Sequence, residues 1–233
     1  MILMRSSKLY AVFGLTALTV LGLGAVDSVL KLTGKLGDIR QYKLTFDGTT
    51  TDGTVKITGD LSRKVIKVDP DGLVTLQESH TNLSFVFNGN QMAGLPSILD
   101  KVLKPDGTTA ELRGEGATPE GYRAAVLSTV MLPDFPLATD KTWSWDVPAD
   151  PKHGSVKARA DYKVLGEERL HDIDTWKIYF TVTEIGDSSV ASSTSTVWIS
   201  KSDASLVKSV SLVKNLPLKS GPLSGTQTVD LAP

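Results

Sequence analysis

Cysteine is absent from this 233-residue chain. That excludes disulfide staples, thiolate-held zinc or iron–sulfur centres, and acylation at a lipobox cysteine. Histidine is scarce: His80, His153 and His171 are the whole supply, and no H-E-x-x-H or H-x-H spacing links them, so a histidine-built zinc hydrolase has no support. An excess of one charge is missing too. Twenty-five basic residues face 26 acidic ones, for a net charge of −1, and setting aside residues 1–25, which hold Arg5 and Lys8 but no acid, leaves −3. Such a balance creates no long-range attraction for phosphate backbones and argues against a nucleic-acid partner. Only one long apolar run exists, which excludes a multi-pass membrane protein. No Walker loop or G-x-G-x-x-G follows a strand pattern, and no G-x-S-x-G occurs; in Gly221-Pro222-Leu223-Ser224-Gly225 the serine is displaced by one place. The 40% hydrophobic content is what remains after these exclusions. It is enough for a folded core and too high for a disordered chain.

The one apolar run is Leu9–Val26, preceded by Arg5 and Lys8 and closed by Asp27. A basic start, an apolar stretch and small residues near Gly22–Ala25 make the layout of a secretory signal over residues 1–25, with an uncleaved N-terminal anchor as the alternative. Either reading puts the rest of the chain outside the cytoplasm, in the periplasm or cell envelope, and limits membrane contact to the N-terminal segment. Residues 26–40 form a polar lead-in.

From residue 41 to 233 the chain reads as a single β-rich domain in two halves, joined by the proline-rich segment 131–151. Thr54–Thr58, Lys64–Val68, Leu73–Glu78 and Leu83–Phe87 are short strand patterns. Asp69-Pro70-Asp71-Gly72 and Asn88-Gly89-Asn90 mark turns between them, as expected of a hairpin meander. The second half alternates more cleanly. Val156, Ala158, Ala160, Tyr162 and Val164 take one side, with Lys157, Arg159, Asp161 and Lys163 between them. Trp176, Ile178, Phe180 and Val182 do the same, which predicts one buried and one wet face. Two segments have helical spacing. In Ser97–Leu103, Ile98, Leu99, Val102 and Leu103 fall on one helical face, with Asp100 and Lys101 outward. Thr118-Pro119-Glu120 supplies an N-cap, a first-position proline and an early acid for a helix reaching about Val130.

The segments 132–148, 162–184 and 195–209 carry a resemblance. A Leu-Pro…Pro-Leu…Thr-Trp start, a Tyr…Gly-Glu-Glu hairpin and a Trp-Ile-Ser…Leu-Val-Lys strand pair resemble bacterial secreted proteins of the periplasmic lipoprotein-carrier type. The likeness covers about residues 130–215 and departs from that group at Ala138-Thr139-Asp140, where a Val-Gly-Asp turn is commoner. It implies a half β-barrel: a curved antiparallel sheet with one or two short helices on its concave face. It transfers no functional residue.

The chemistry on offer is thin. His171-Asp172-Ile173-Asp174 clusters three metal-ligand types but sits between two strand patterns, as a polar hairpin loop would. Asp69-Pro70-Asp71-Gly72 lacks the further acids of a calcium loop. No catalytic set is identified, and no metal or cofactor is implied. Phe85, Phe87, Trp176, Ile178, Phe180 and Val182 fall on apolar strand faces. They are the candidates for lining a ligand cleft, unless they are plain core. Three functions compete: a non-catalytic envelope protein holding an apolar or lipid-like molecule, with a lipid or lipoprotein as partner; an envelope scaffold or interaction module with a filled core; and a secreted hydrolase whose acids meet only in the fold. An empty or a packed concave face separates the first two.

Overall fold

The computed structural model describes residues 28–186, 190–218 and 221–233. The apolar segment at the N-terminus lies outside them. Six strands come first: β1 (Ile39–Thr50), β2 (Gly53–Val68), β3 (Val74–Phe87), β4 (Asn90–Ala93), β5 (Ser97–Leu103) and β6 (Thr109–Gly114). Helix α1 (Pro119–Ser128) follows. Six more strands complete the chain: β7 (Thr142–Val147), β8 (Ala158–Leu170), β9 (Ile173–Glu184), β10 (Ser192–Ser200), β11 (Leu206–Leu216) and β12 (Leu223–Leu231). All twelve belong to one antiparallel sheet in the order β6-β5-β3-β2-β1-β12-β11-β10-β9-β8-β7, with β4 paired to β3 beside β5. Two meanders thus run outward from a central seam where β1 pairs with β12, Tyr42 opposite Leu231 and Leu44 opposite Val229. The sheet is curved and open; β6 and β7 are its edges.

Local chemistry explains the turns. His171 and Asp172 at the β8–β9 hairpin have φ of 49° and 60°, and Asn88 and Gly89 at the β3–β4 hairpin have 48° and 83°. Two successive left-handed residues match the twist of the flanking strands. The Asp69–Leu73 turn closes through Asp69 N to Leu73 O, with Gly72 at φ 87°. The four strand patterns expected between residues 54 and 87 merge into two long strands. The stretches between the patterns, 59–63 and 79–82, stay in the sheet. The β2–β3 register shifts at Thr58/Asp60 and at Val65/Lys67, and pairing continues on both sides of these bulges.

The helix expected at Ser97–Leu103 is instead strand β5, paired along its length with β3 and with β6 on the other side. Seven residues are too few for a helix to hold itself, and two neighbouring strands satisfy the backbone on both edges. The apolar pair at each end of the segment fits either period. In the strand, Ile98 is exposed, Val102 and Leu103 are buried, and Lys101 turns inward. The second helix forms as expected: Thr118 caps α1, its hydroxyl accepting from Gly121 N at 3.2 Å, and Pro119 opens it.

Packing divides the inner face in two. Over β7–β10 it is filled. Ala158, Ala160, Val164, Ile178, Phe180 and Val182 lie under Leu127 of α1 and under Leu132 and Leu137 from the segment after it. Trp143 stacks on Tyr162 at 4.9 Å, and its indole N–H donates to Met131 O. Over β1, β2 and β12 the buried cluster is small: Tyr42, Leu44, Leu61 and Val229. The alanines at 158 and 160 are what let the chain after α1 press so closely onto one half.

Candidate ligand cavity

Above the thinly packed half lies a cavity of about 530 Å³. Its wall is the inner face of the sheet, read at every second residue: Tyr42, Leu44 and Phe46 from β1, Leu61, Arg63 and Val65 from β2, and Leu76, Glu78 and His80 from β3. β5 adds Leu99, Lys101 and Leu103, and β10–β12 supply the opposite wall, including Val197, Ser211 and Val229. Strand periodicity alone dictates this, since successive side chains point to opposite faces.

Helix α1 forms the roof through Ala124, Ala125 and Leu127. Side chains tie it down on both sides of the open sheet. Tyr122 Oη accepts from Leu112 N on β6 at 3.0 Å, and Arg123 binds Glu184 on β9. Ser193 Oγ donates to Leu127 O. One end of the cavity is closed by the extended chain at 28–36. Leu32 N donates to Pro105 O on the β5–β6 turn, and Thr33 N to Asp203 O on the β10–β11 turn, so this strap bridges the two meanders. Gly34 lies so close over Val65 that a β-carbon there would meet Val65 Cγ2 at 3.0 Å. At the far end the same inner face continues through Phe85 and Phe87, opposite Ile57 and Val55, to exposed Met92, opposite Phe85.

The wall is apolar except for one band of charge. Arg40, Arg63 and Glu78 stand in register across β1, β2 and β3, and Lys101 of β5 reaches the same carboxylate. Glu78 is buried; its Oε1 lies 2.7 Å from Arg63 Nε and its Oε2 3.2 Å from Lys101 Nζ. Burial alone would raise the Glu78 pKa, but Lys101 and Arg63 outweigh it and hold the carboxyl at about 2. Burial opposes the charge on Arg63, and Glu78 and Tyr42 more than restore it. The guanidinium lies 5.4 Å from the centre of the Tyr42 ring. The Arg63–Glu78 contact is short but badly angled, so Nε and Oε1 are buried without a satisfied hydrogen bond. His80 has its pKa lowered, first by burial, and its Nδ1 is 3.4 Å from the Ser97 hydroxyl. Near the strap, Arg40 pairs with Asp203 at 2.9 Å, and exposed Asp38 accepts from Lys35 N.

The six aromatic and aliphatic residues singled out from sequence sit elsewhere. Ile178, Phe180 and Val182 are fully buried in the filled half. Trp176 is partly buried against the same cluster with Lys201 Nζ 4.5 Å above its ring. Phe85 and Phe87 are half-buried on the inner face beyond the cavity's wall. Sequence reasoning misses the charged band, because helical spacing puts Lys101 on an outer side. The signal for the band is parity: Arg63 shares a face with Leu61 and Val65, and Glu78 with Leu76 and His80. Of the His171–Asp174 segment, His171 and Asp172 form the β8–β9 turn while Ile173 and Asp174 already pair in β9, and His171 Nε2 is 3.0 Å from Asp230. Among the described residues no group of three or more metal-ligating side chains assembles, and no helix is long and apolar enough to cross a membrane.

No family model and no curated protein matches the chain. Solved structures similar to it include the following three. A lipovitellin structure described for its lipid–protein interactions aligns over 85% of this chain at 9% identity with a TM-score of 0.48. The alignment takes in 25% of the lipovitellin chain, so this protein spans about a quarter of that length. A Bacteroides fragilis protein with a YmcC-like fold aligns over 88% of this chain and 100% of its own, at 10% identity and a TM-score of 0.36. A DUF1329-family protein from Desulfovibrio piger covers 84% of each chain at 10% identity, with a TM-score of 0.20.

Proposed function

We propose that this is a non-catalytic, exported binding protein that holds one apolar or lipid-like molecule on the inner face of its sheet. The observation that carries the reading is the uneven filling of that face. One half is packed by α1 and the chain after it, while the other keeps a roofed cavity of about 530 Å³ with mainly aliphatic walls. Ligand sites of that kind have volumes of about 300–1,000 Å³ and a few placed polar groups. A scaffold with a solid core has no use for such a space, which costs stability when empty.

The absence of catalysis is part of the proposal. Glu78 is the buried carboxylate of the wall, and its two cations hold it ionised far below neutrality, which suits neither a general acid nor a general base near pH 7. Export rests on the basic, apolar and small-residue order of residues 1–25. N-terminal sequencing of protein recovered from the cell envelope should begin near Ala25–Asp27.

The deciding experiment is titration with Nile red, a neutral apolar dye, of the wild type and of Ala124→Trp, which fills the roof of the cavity. Saturable binding abolished by Ala124→Trp, with Tyr179→Trp on the outer face as a neutral control, supports the carrier. Absence of saturable binding in the folded wild type sinks it in favour of the scaffold.

A further inference from the structure

Resting on that reading, we propose that the ligand is an amphiphile with an anionic head, a carboxylate or phosphate monoester, whose head is held by Arg63 and Lys101 and whose tail lies along the apolar wall toward Phe46 and Ile57. A neutral cargo would need no charge in this wall, yet two cations are placed inside it at a real desolvation cost. One carboxylate answers both. Arg63 offers five N–H donors and Lys101 three, and the two oxygens of Glu78 cannot occupy them all. Arg63 Nε and Glu78 Oε1 are sealed against each other, both without a satisfied hydrogen bond, so the donors an incoming oxyanion can reach are on the parts of the Arg63 and Lys101 side chains that stay exposed, 22% and 16%. The other charges of the wall do not cancel the excess at this depth: Arg40 is paired with Asp203, Asp38 is exposed near the strap, and burial lowers the pKa of His80.

The geometry also gives the molecule a direction. The strap and the β5–β6 and β10–β11 turns close the end nearest the charged band. Away from it, Arg63 to Ile57 is six residues along β2, roughly 20 Å of strand. That path is lined by Leu61, Leu44 and Phe46 and leads on to Phe85. An ionic head near the closed end and a tail pointing to the partly exposed end fit this layout.

The test uses Nile red displacement from the purified full chain by oleate, by oleyl alcohol, and by acetate and inorganic phosphate as heads without tails. Oleate should compete about tenfold better than the alcohol, the size of one charge-assisted hydrogen bond. Lys101→Met should bring the two within about twofold, and Glu78→Gln, which frees both cations, should widen the gap. Acetate and phosphate should displace nothing at millimolar concentration. Equal competition by oleate and the alcohol in the wild type overturns the anionic head while leaving the cavity reading standing. No Nile red binding removes the cavity reading itself. Displacement by free phosphate reassigns the band to an inorganic anion. Should Lys101→Met fail to fold by circular dichroism, the wild-type preference and the Glu78→Gln shift decide the matter between them.

Discussion

Arg123 on α1 grips Glu184 on β9 with two parallel hydrogen bonds, Nε to Oε1 at 2.7 Å and Nη2 to Oε2 at 2.5 Å. The same Oε2 accepts from the buried Ala191 N–H at 2.9 Å. The pair is the charged link between the roof of the cavity and the filled half of the sheet. It is planar and bidentate, a geometry that lysine could not reproduce. Glu184→Ala leaves a partly buried guanidinium and a buried N–H without acceptors. It should cost toward the lower end of about 3–5 kcal/mol, since Arg123 keeps some access to water. Glu184→Gln, which retains one acceptor, should cost less. Urea denaturation of the two variants checks the order; equal losses would mean that the retained neutral acceptor contributes nothing and that the carboxylate's charge carries the whole link.

A second prediction concerns Gly48 and Gly225, which face each other across the β1–β12 seam. The ring of Phe46 lies over both, at 2.7 Å from where either β-carbon would stand. Such a β-carbon would also overlap the backbone carbonyl of Ser224 in one case and of Asp47 in the other. Each glycine-to-alanine change should therefore destabilise by about 1–3 kcal/mol, the cost of overpacking. Gly89→Ala, with open space around it but φ of 83°, separates the two causes: it tests backbone strain without a clash. Thermal melts of all three variants would show whether crowding at the seam exceeds turn strain.

What is legible in the sequence depends on where the bonds go. The β8–β9 hairpin is legible because a period of two held over eight residues fits a half-buried strand and no helix. Ala158, Ala160, Tyr162 and Val164 do face inward with Ile178, Phe180 and Val182. The cap on α1 is legible because Thr118 and Pro119 act within one turn. Ser97–Leu103 is not, because what makes it a strand is β3 and β6, neither of which is local to it. The charged band is hidden for the same reason: a helix with Lys101 outward holds it away from Glu78, 23 residues earlier. Nor can alternation tell a filled face from an empty one. Phe180 and Leu44 both read as inward apolar residues; the chain after α1 covers one and not the other.

The filled half makes its own prediction. Phe180 is fully buried between Tyr162, at 5.5 Å ring to ring, and the aliphatic cluster. Phe180→Ala should cost about 3–5 kcal/mol. Tyr179, on the other face and partly exposed, should tolerate Tyr179→Ala at about 0.5 kcal/mol or a little more. Equal losses in chemical denaturation would contradict the register of β9.

Glu78 predicts an acid-side dependence. Its folded pKa of about 2 lies below the ordinary 4.5, because Lys101 and Arg63 outweigh the effect of burial. A depressed folded pKa means the stabilisation is full above the unfolded value and is lost as pH falls from about 4.5 through about 2. Asp203 and Asp230, also depressed, act in the same direction. Stability measured against pH should fall over that window in the wild type. In Glu78→Gln the fall should be shallower, with His80 and the two cations still facing the site. An unchanged slope would mean that the Glu78 carboxyl titrates alike in the folded and unfolded chain, so that Lys101 and Arg63 do not hold it below its ordinary range.

The strap at 28–36 should open before the sheet does. It has no strand partner; two backbone hydrogen bonds, from Leu32 N and Thr33 N, and the half-buried side chains of Leu30 and Leu32 hold it across the end of the cavity. Segments with so few buried contacts open locally at less than the global cost. Leu32→Ala removes the larger part of that grip and should cost about 2 kcal/mol, the low end for a leucine that is only half covered. The loss should be local. Hydrogen exchange at the Leu32 and Thr33 amides should accelerate about thirtyfold, the equivalent of that energy. The amides of Ile178 and Phe180, inside the β8–β9–β10 ladder, should change far less. If the strap and β9 amides accelerate together, the strap is part of the global folding unit, and the closed end of the cavity opens only when the whole sheet unfolds.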